Sequence, residues 1–256
     1  MKTILLAILL FATLPTVAAI TETKVEYKEG DQVLEGWVVR DTAKKGKLPG
    51  VIVVHDWKGV GAHAKAQAKR VAELGLVAFI ADIYGQGVRP KDNTEAKTLA
   101  GKYKNDRVLL RKRALAALEA LRAQKNVDIK RVAAIGYCFG GTTVLELARS
   151  GADVNAVVSF HGGLSTPNTT EVINVKAKVL VLHGGDDPGV PDSEVTAFKE
   201  EMRKANVAWE LVAYGGAVHS FTNPEAGNDN SKGAAYNKTA DQRSFEAMKD
   251  FFKEVL

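Results

Sequence analysis

The sequence predicts a single α/β domain: a mostly parallel central sheet with helices on both faces. Two observations carry this. Gly50–His55, Leu76–Ala81, Arg131–Ile135, Ala156–Phe160 and Lys178–Leu182 are rich in consecutive apolar residues. They lack the alternation of a half-exposed strand and read as strands buried on both sides. Between them run amphipathic stretches long enough to be the crossover helices that parallel strands require.

The elements follow in order. Thr23–Tyr27 and Val33–Arg40 form a hairpin around Glu29-Gly30-Asp31, a turn-forming segment. After the Gly50–His55 strand a helix is expected from His63 to Leu74, then the strand Leu76–Ala81. Asp92–Gln124 has helical periodicity, with a break expected near Gly101 because glycine weakens a helix interior. Within it, Val108, Leu109, Leu115, Leu118 and Leu121 supply the buried face, and Arg107, Arg111, Lys112 and Arg113 read as a solvated face. Helix Thr142–Arg149, strand Ala156–Phe160, strand Lys178–Leu182, helix Asp192–Ala205, strand Ala208–Tyr214 and helix Thr239–Val255 complete the domain.

The chain has 256 residues and no repeats or low-complexity linkers. Met1-Lys2-Thr3, an apolar run from Ile4 to Leu14 and the small residues Val17-Ala18-Ala19 have the plan of a secretory leader over 1–19. The apolar run is too short to span a bilayer. The domain is therefore expected over 20–256, periplasmic or secreted, with no membrane contact after cleavage. A net charge of +5 is spread out, without interleaved aromatics or a nucleic-acid motif, so no nucleic-acid partner is expected. The single cysteine has no disulfide partner, and in an oxidising compartment a free thiol needs a reason to persist.

That cysteine lies in Ile135-Gly136-Tyr137-Cys138-Phe139-Gly140-Gly141, where a strand turns into a helix. Glycines two before and two after it allow the sharp turn of a nucleophile elbow. Such a turn lifts the reactive atom above the sheet and aims the next backbone N–H, that of Phe139, at developing negative charge. The plainer reading is a buried apolar cysteine. A base and an orienting acid are expected downstream, in the order nucleophile, acid, histidine. Asp186 and Asp187 follow the Lys178–Leu182 strand, and His219 follows the Ala208–Tyr214 strand, both at carboxyl ends where open α/β sheets bind ligands.

With these residues in view, the chain resembles the dienelactone hydrolases, cysteine members of the α/β-hydrolase superfamily. The resemblance rests on Gly136-Tyr-Cys-Phe-Gly-Gly141, Asp187-Pro-Gly-Val-Pro191 and His219-Ser-Phe221. The tail from Ala235-Tyr236-Asn237 to Arg243-Ser244-Phe245 is similar to the secreted branch of the family. The resemblance implies an α/β-hydrolase fold and a Cys138–His219–Asp187 triad, leaving Asp186 as a turn residue. It also implies an oxyanion hole from the N–H groups of Phe139 and Trp57, and a resting-thiol partner in Asp56. Asp56 reads equally well as a loop aspartate. Tyr84 and His161 are expected to line the pocket, His161 having a packed core histidine as its alternative. His63 and His183 read as structural. No metal-ligand spacing occurs, so neither metal nor cofactor is expected.

The implied activity is hydrolysis of a small ester or lactone by a monomer, through an acyl-cysteine intermediate. A non-catalytic binding protein and a thiol redox sensor are the alternatives. The resemblance also implies two arginines that hold a substrate carboxylate, and here those positions are Gln86 and Asn223, with Arg89 nearby. A neutral substrate, or one with a weakly held charge, is therefore expected.

Overall fold

The structure, a computed structural model, describes residues 19–256. The leader expected over 1–19 thus lies outside the described residues, Ala19 apart. The element order is β1 (Ile20–Glu29), β2 (Gln32–Asp41), β3 (Leu48–Val54), α1 (Ala62–Glu73), β4 (Val77–Ala81), α2 (Asn93–Asn105), α3 (Arg107–Arg122), β5 (Val127–Tyr137) and α4 (Phe139–Arg149). There follow β6 (Ala156–Phe160), a 3₁₀ turn at Thr169–Asn174, β7 (Lys178–Gly184), α5 (Asp192–Lys204), β8 (Trp209–Tyr214) and α6 (Lys238–Val255).

Among the described residues, eight strands make one sheet in the order β1-β2-β4-β3-β5-β6-β7-β8. The β1–β2 hairpin and the β2–β4 pair are antiparallel, and every other pair is parallel. The central strands are fully buried, as their continuous apolar sequences require. Helices α1 and α6 cover one face through Ala64, Ala68, Val71, Phe245, Met248 and Phe252. Helices α3, α4 and α5 cover the other through Leu110, Leu118, Val144, Leu147, Phe198 and Met202. After β3 the chain runs to β4 on one side and then crosses to β5 on the other. That reversal opens a crevice above the carboxyl ends of β3 and β5, the usual place for a ligand in such sheets.

Two local expectations need correction. The helical break falls at Asp106, not Gly101. Asp106 ends α2 and its carboxylate caps α3, accepting the Leu109 N–H at 2.9 Å. A cap with its own acceptor decides a boundary, whereas one glycine only weakens a helix. The α3 face is also rotated: Val108 is exposed, and Arg113 is buried beside Leu110, Ala114 and Leu118. Arg113 approaches Glu29, and Arg111 holds Glu146 and Glu171, so these bases are paired within the fold. Buried charges persist only when paired, and the pairing carboxylates come from elements distant in sequence.

Candidate active site

Strand β5 ends at Tyr137 and α4 begins at Phe139, leaving Cys138 alone at φ 56°, ψ −113°. A non-glycine residue held there is strained, and such strain concentrates at functional sites. The flanking glycines explain how the turn is made. A Cβ on Gly136 would lie 2.0 Å from the Gly140 carbonyl oxygen, and one on Gly140 would lie 2.3 Å from that of Val54. No side chain fits either contact, so α4 sits directly against the end of β3.

Cys138 Sγ lies 2.9 Å from His219 Nε2, and His219 Nδ1 lies 2.8 Å from Asp187 Oδ2. The other Asp187 oxygen accepts the Gly189 N–H at 2.8 Å, which fixes the carboxylate within its turn. Asp186 accepts from Gly216 N and does not reach the histidine. The backbone of His219 is clamped by the segment before α6: its N–H donates to Gly233 O and its carbonyl accepts from Ala235 N. The tail motif starting at Ala235 is therefore part of the scaffold that places His219.

Burial disfavours charge on the sulfur, but the neighbouring His219 outweighs it and holds the Cys138 thiol below its ordinary range; Asp56 opposes this more weakly. Burial likewise disfavours the His219 cation, yet Cys138 and Asp187 raise its pKa to about 10. The two shifts act in the same sense, toward a thiolate–imidazolium pair. Alkylation of Cys138 by iodoacetamide is therefore expected to rise less steeply across about pH 6.5 to 8.5 than that of an ordinary thiol, whose pKa is roughly 8.5. A rate that climbs about tenfold per pH unit over that range would show an ordinary thiol instead.

The N–H groups of Trp57 and Phe139 donate to no acceptor among the described residues. The loop carrying Trp57 is held rigidly. Tyr84 Oη donates to the Trp57 carbonyl at 3.0 Å, and Tyr103 Oη donates to the Tyr84 carbonyl at 3.0 Å. Asp56 belongs to this scaffold. Its Oδ1 accepts the Lys58 N–H at 2.8 Å, and its Oδ2 faces His63 Nδ1 at 3.4 Å. Asp56 is thus not the hydrogen-bond partner of the resting thiol, which already rests on His219; its charge reaches the sulfur only through space. His63 is buried and pairs with Asp56, and buried His183 contacts neither Cys138 nor Asp187 through a hydrogen bond.

A cavity of about 650 Å³ opens over Cys138 and His219. Tyr84 and His161, expected to line the pocket, do not line it: both are almost fully buried, behind its wall and beneath its floor. His161 Nδ1 accepts the Cys138 N–H at 3.1 Å, and its Nε2 meets Thr222 Oγ1 at 2.8 Å. Gln86 and Asn223 do not line the cavity either, and Arg89 is held by the Val60 and Val88 carbonyls.

Sequence reasoning missed the cations that do line it. Lys97, Ala100, Gly101 and Lys104 form one face of α2 along the wall, and Lys232 approaches from the segment beside His219. The i, i+3, i+4, i+7 spacing is visible in the sequence; that this face overlooks Cys138 is not. Neither Lys97 nor Lys104 has a carboxylate within 4.0 Å among the described residues, and Lys232 lies 3.7 Å from Asp229. The described residues hold no cluster of three or more potential metal ligands, and no helix among them is long and apolar enough to cross a membrane.

Comparison with known proteins assigns the family. The model of the dienelactone hydrolase family matches residues 34–256. A solved structure described as a dienelactone hydrolase-like promiscuous phosphotriesterase from metagenomic libraries is 43% identical, with a TM-score of 0.89 over 93% of this chain and 99% of that one. A Bradyrhizobium protein named provisionally as a 2-oxo-3-(5-oxofuran-2-ylidene)propanoate lactonase is 31% identical over 69% of this chain and 74% of its own. A Salmonella typhimurium protein named provisionally as a carboxymethylenebutenolidase is 28% identical over 75% of this chain and 74% of its own. The chain belongs to the dienelactone hydrolase family and is a carboxylic ester hydrolase.

Proposed function

We propose that the chain hydrolyses small esters or lactones bearing an anionic group, through an acyl-cysteine intermediate on Cys138, and, with the leader read over 1–19, that it does so after export. One observation carries the chemistry: sulfur, imidazole and carboxylate stand in hydrogen-bonded sequence at the floor of a cavity where two backbone N–H groups have no acceptor among the described residues. In this reading the Cys138 thiolate attacks the carbonyl carbon, and the C–S bond forms as the carbonyl electron pair moves onto oxygen. The N–H groups of Phe139 and Trp57 hold that oxyanion, each donor contributing on the order of a hundred- to a thousand-fold. Collapse expels the alkoxide, which takes the proton from His219 Nε2. Imidazole then removes a proton from water, which attacks the thioester, and the thiolate leaves. Asp187 keeps Nδ1 protonated and stabilises the cation at each stage. Thiolate is a ready leaving group, which suits enol esters and lactones better than amides.

The anionic group is supported by the cavity wall. Lys97, Lys104 and Lys232 face a space whose one acidic lining residue, Asp187, is already committed to His219 and Gly189 N. Of the two substrates expected from Gln86 and Asn223, neutral or weakly held in charge, this favours the second: lysine point charges stand where no arginine fork lines the cavity. A binding protein has no need of the hydrogen-bonded triad, and a redox sensor of the usual kind would carry a resolving cysteine that this sequence lacks.

The test is a panel of p-nitrophenyl esters, neutral lactones, carboxylate-bearing lactones and a phosphotriester, with intact-mass detection of the acylated protein. A carboxylate-bearing lactone is expected to exceed its neutral analogue by about tenfold in kcat/KM, or ~1.4 kcal/mol. The advantage should shrink as salt rises, since exposed charges are screened. An equal or reversed preference removes the anionic assignment. Turnover without any acyl adduct under burst conditions removes the covalent one.

A further inference from the structure

His161 is buried beneath the reacting groups, and the chemistry proposed above gives it no step. It follows β6 with φ 39°, a positive φ that is uncommon outside glycine. Its ring touches both halves of the site. On one side Nδ1 faces the Cys138 N–H, which it shares with the Phe160 carbonyl at 3.0 Å. On the other its ring meets that of His219 edge-on, with centroids 5.4 Å apart, and that of Phe221 at 5.0 Å. Nε2 lies 2.8 Å from Thr222 Oγ1, three residues beyond His219 on the same loop. Thr222 Oγ1 then lies 3.3 Å from His63 Nε2, and His63 Nδ1 faces Asp56.

The direction of these contacts is fixed at one end. An amide N–H can only donate, so Nδ1 of His161 accepts and its proton sits on Nε2, pointing at Thr222. Beyond it, Thr222 Oγ1 stands beside His63 Nε2, and His63 Nδ1 faces the Asp56 carboxylate. A neutral ring is required beside the His219 cation, and burial, His219 and His63 all hold the His161 pKa well below its ordinary value. Cys138 and His219 come from loops 81 residues apart in sequence. Apart from their own contact, the His161–Thr222 pair is a direct polar tie between the nucleophile's backbone and the histidine's loop.

The geometry points to His161 and Thr222 as positioning residues that set the separation of Cys138 Sγ and His219 Nε2. The inference rests on the triad reading above and deepens it. Such a role acts on the chemical step, not on substrate capture, because neither residue lines the cavity.

The experiment measures Thr222→Val, Thr222→Ser and His161→Phe in the full chain, with Cys138→Ala as the inactive control. Val keeps the shape of Thr and loses the hydroxyl, Ser restores the hydroxyl, and Phe keeps an aromatic wedge without nitrogens. Expected for Thr222→Val is a loss of about tenfold in kcat with KM within about twofold, and return to within about twofold of wild type in Thr222→Ser. In Thr222→Val and His161→Phe the iodoacetamide profile of Cys138 should also move to higher pH, because a looser His219 holds the thiolate less well. The inference is overturned if Thr222→Val matches wild type in kcat and alkylation profile, or if Ser fails to restore what Val loses. The alkylation profile reads the tie without turnover, so it stays decisive even if wild-type Cys138 forms no acyl adduct, which would defeat the triad reading instead.

Discussion

Replacing Cys138 by alanine is expected to lower kcat for any ester on the order of a million-fold, the scale of losing the nucleophile in an interdependent triad. The size follows from how much converges on one atom. Among the described residues the sulfur is the one hydrogen-bond partner of His219 Nε2, and one of the two unpaired N–H groups, that of Phe139, belongs to the next residue. Alanine retains the cavity and the two N–H groups proposed as oxyanion donors, so residual turnover by water attack is expected at a small fraction of the wild-type rate. The substitution removes a partly buried thiol and leaves the backbone free to keep φ 56°, so the fold should persist by circular dichroism. Retention of more than about a thousandth of the wild-type kcat would mean that another group is the nucleophile.

Asp187→Asn is expected to cost about ten-thousand-fold in kcat, while Asp186→Asn changes it by less than about twofold. Asparagine keeps the shape but presents a neutral group to His219 Nδ1. It neither stabilises the cation nor holds the proton on Nδ1, so Nε2 is no longer free to act as the base. The sign for the thiol follows: without the carboxylate the His219 pKa falls from its raised value, and the thiolate loses its counter-ion. Alkylation of Cys138 should then require higher pH than in wild type. Among the described residues the Asp186 carboxylate accepts only the Gly216 N–H, within an exposed turn. The two variants assayed side by side separate catalysis from turn geometry, and a larger loss at Asp186 would reverse the assignment of the acid.

Most of the fold was legible because parallel strands leave a strong mark. Ala156–Phe160 and Lys178–Leu182 are apolar runs that can sit only in a covered sheet, and both lie where the sequence placed them. The elbow was legible for the same kind of reason: Gly136 and Gly140 occupy contacts that exclude any Cβ, so their spacing around Cys138 is a geometric demand written in composition. What escaped was whatever depends on elements distant in sequence. Lys97 and Lys104 look like surface charges on an exposed helix until the crossing of α2 over the cavity is known. His161 looked like a lining residue because it ends a strand beside the site, yet its left-handed backbone turns the ring beneath the floor. Asp56 is a neighbour of Trp57 along the chain, but its carboxylate is turned toward Lys58 N and His63.

Helix α2 is closed at each end by its own aspartate: Asp92 caps its start, and Asp106 ends it and begins α3. It buries little beyond Ala96, Ala100 and Tyr103, and at Gly101, on the cavity side, an added Cβ would meet nothing within 4 Å. The elbow tolerates no added atom, whereas this wall tolerates many. On the proposed mechanism, substrate preference and bond-breaking are held in separable parts of the chain, a fixed anvil and an exchangeable jaw. Changes at Lys97, Gly101 and Lys104 can retune what the enzyme accepts while leaving the sulfur, the imidazole and the oxyanion donors where they are.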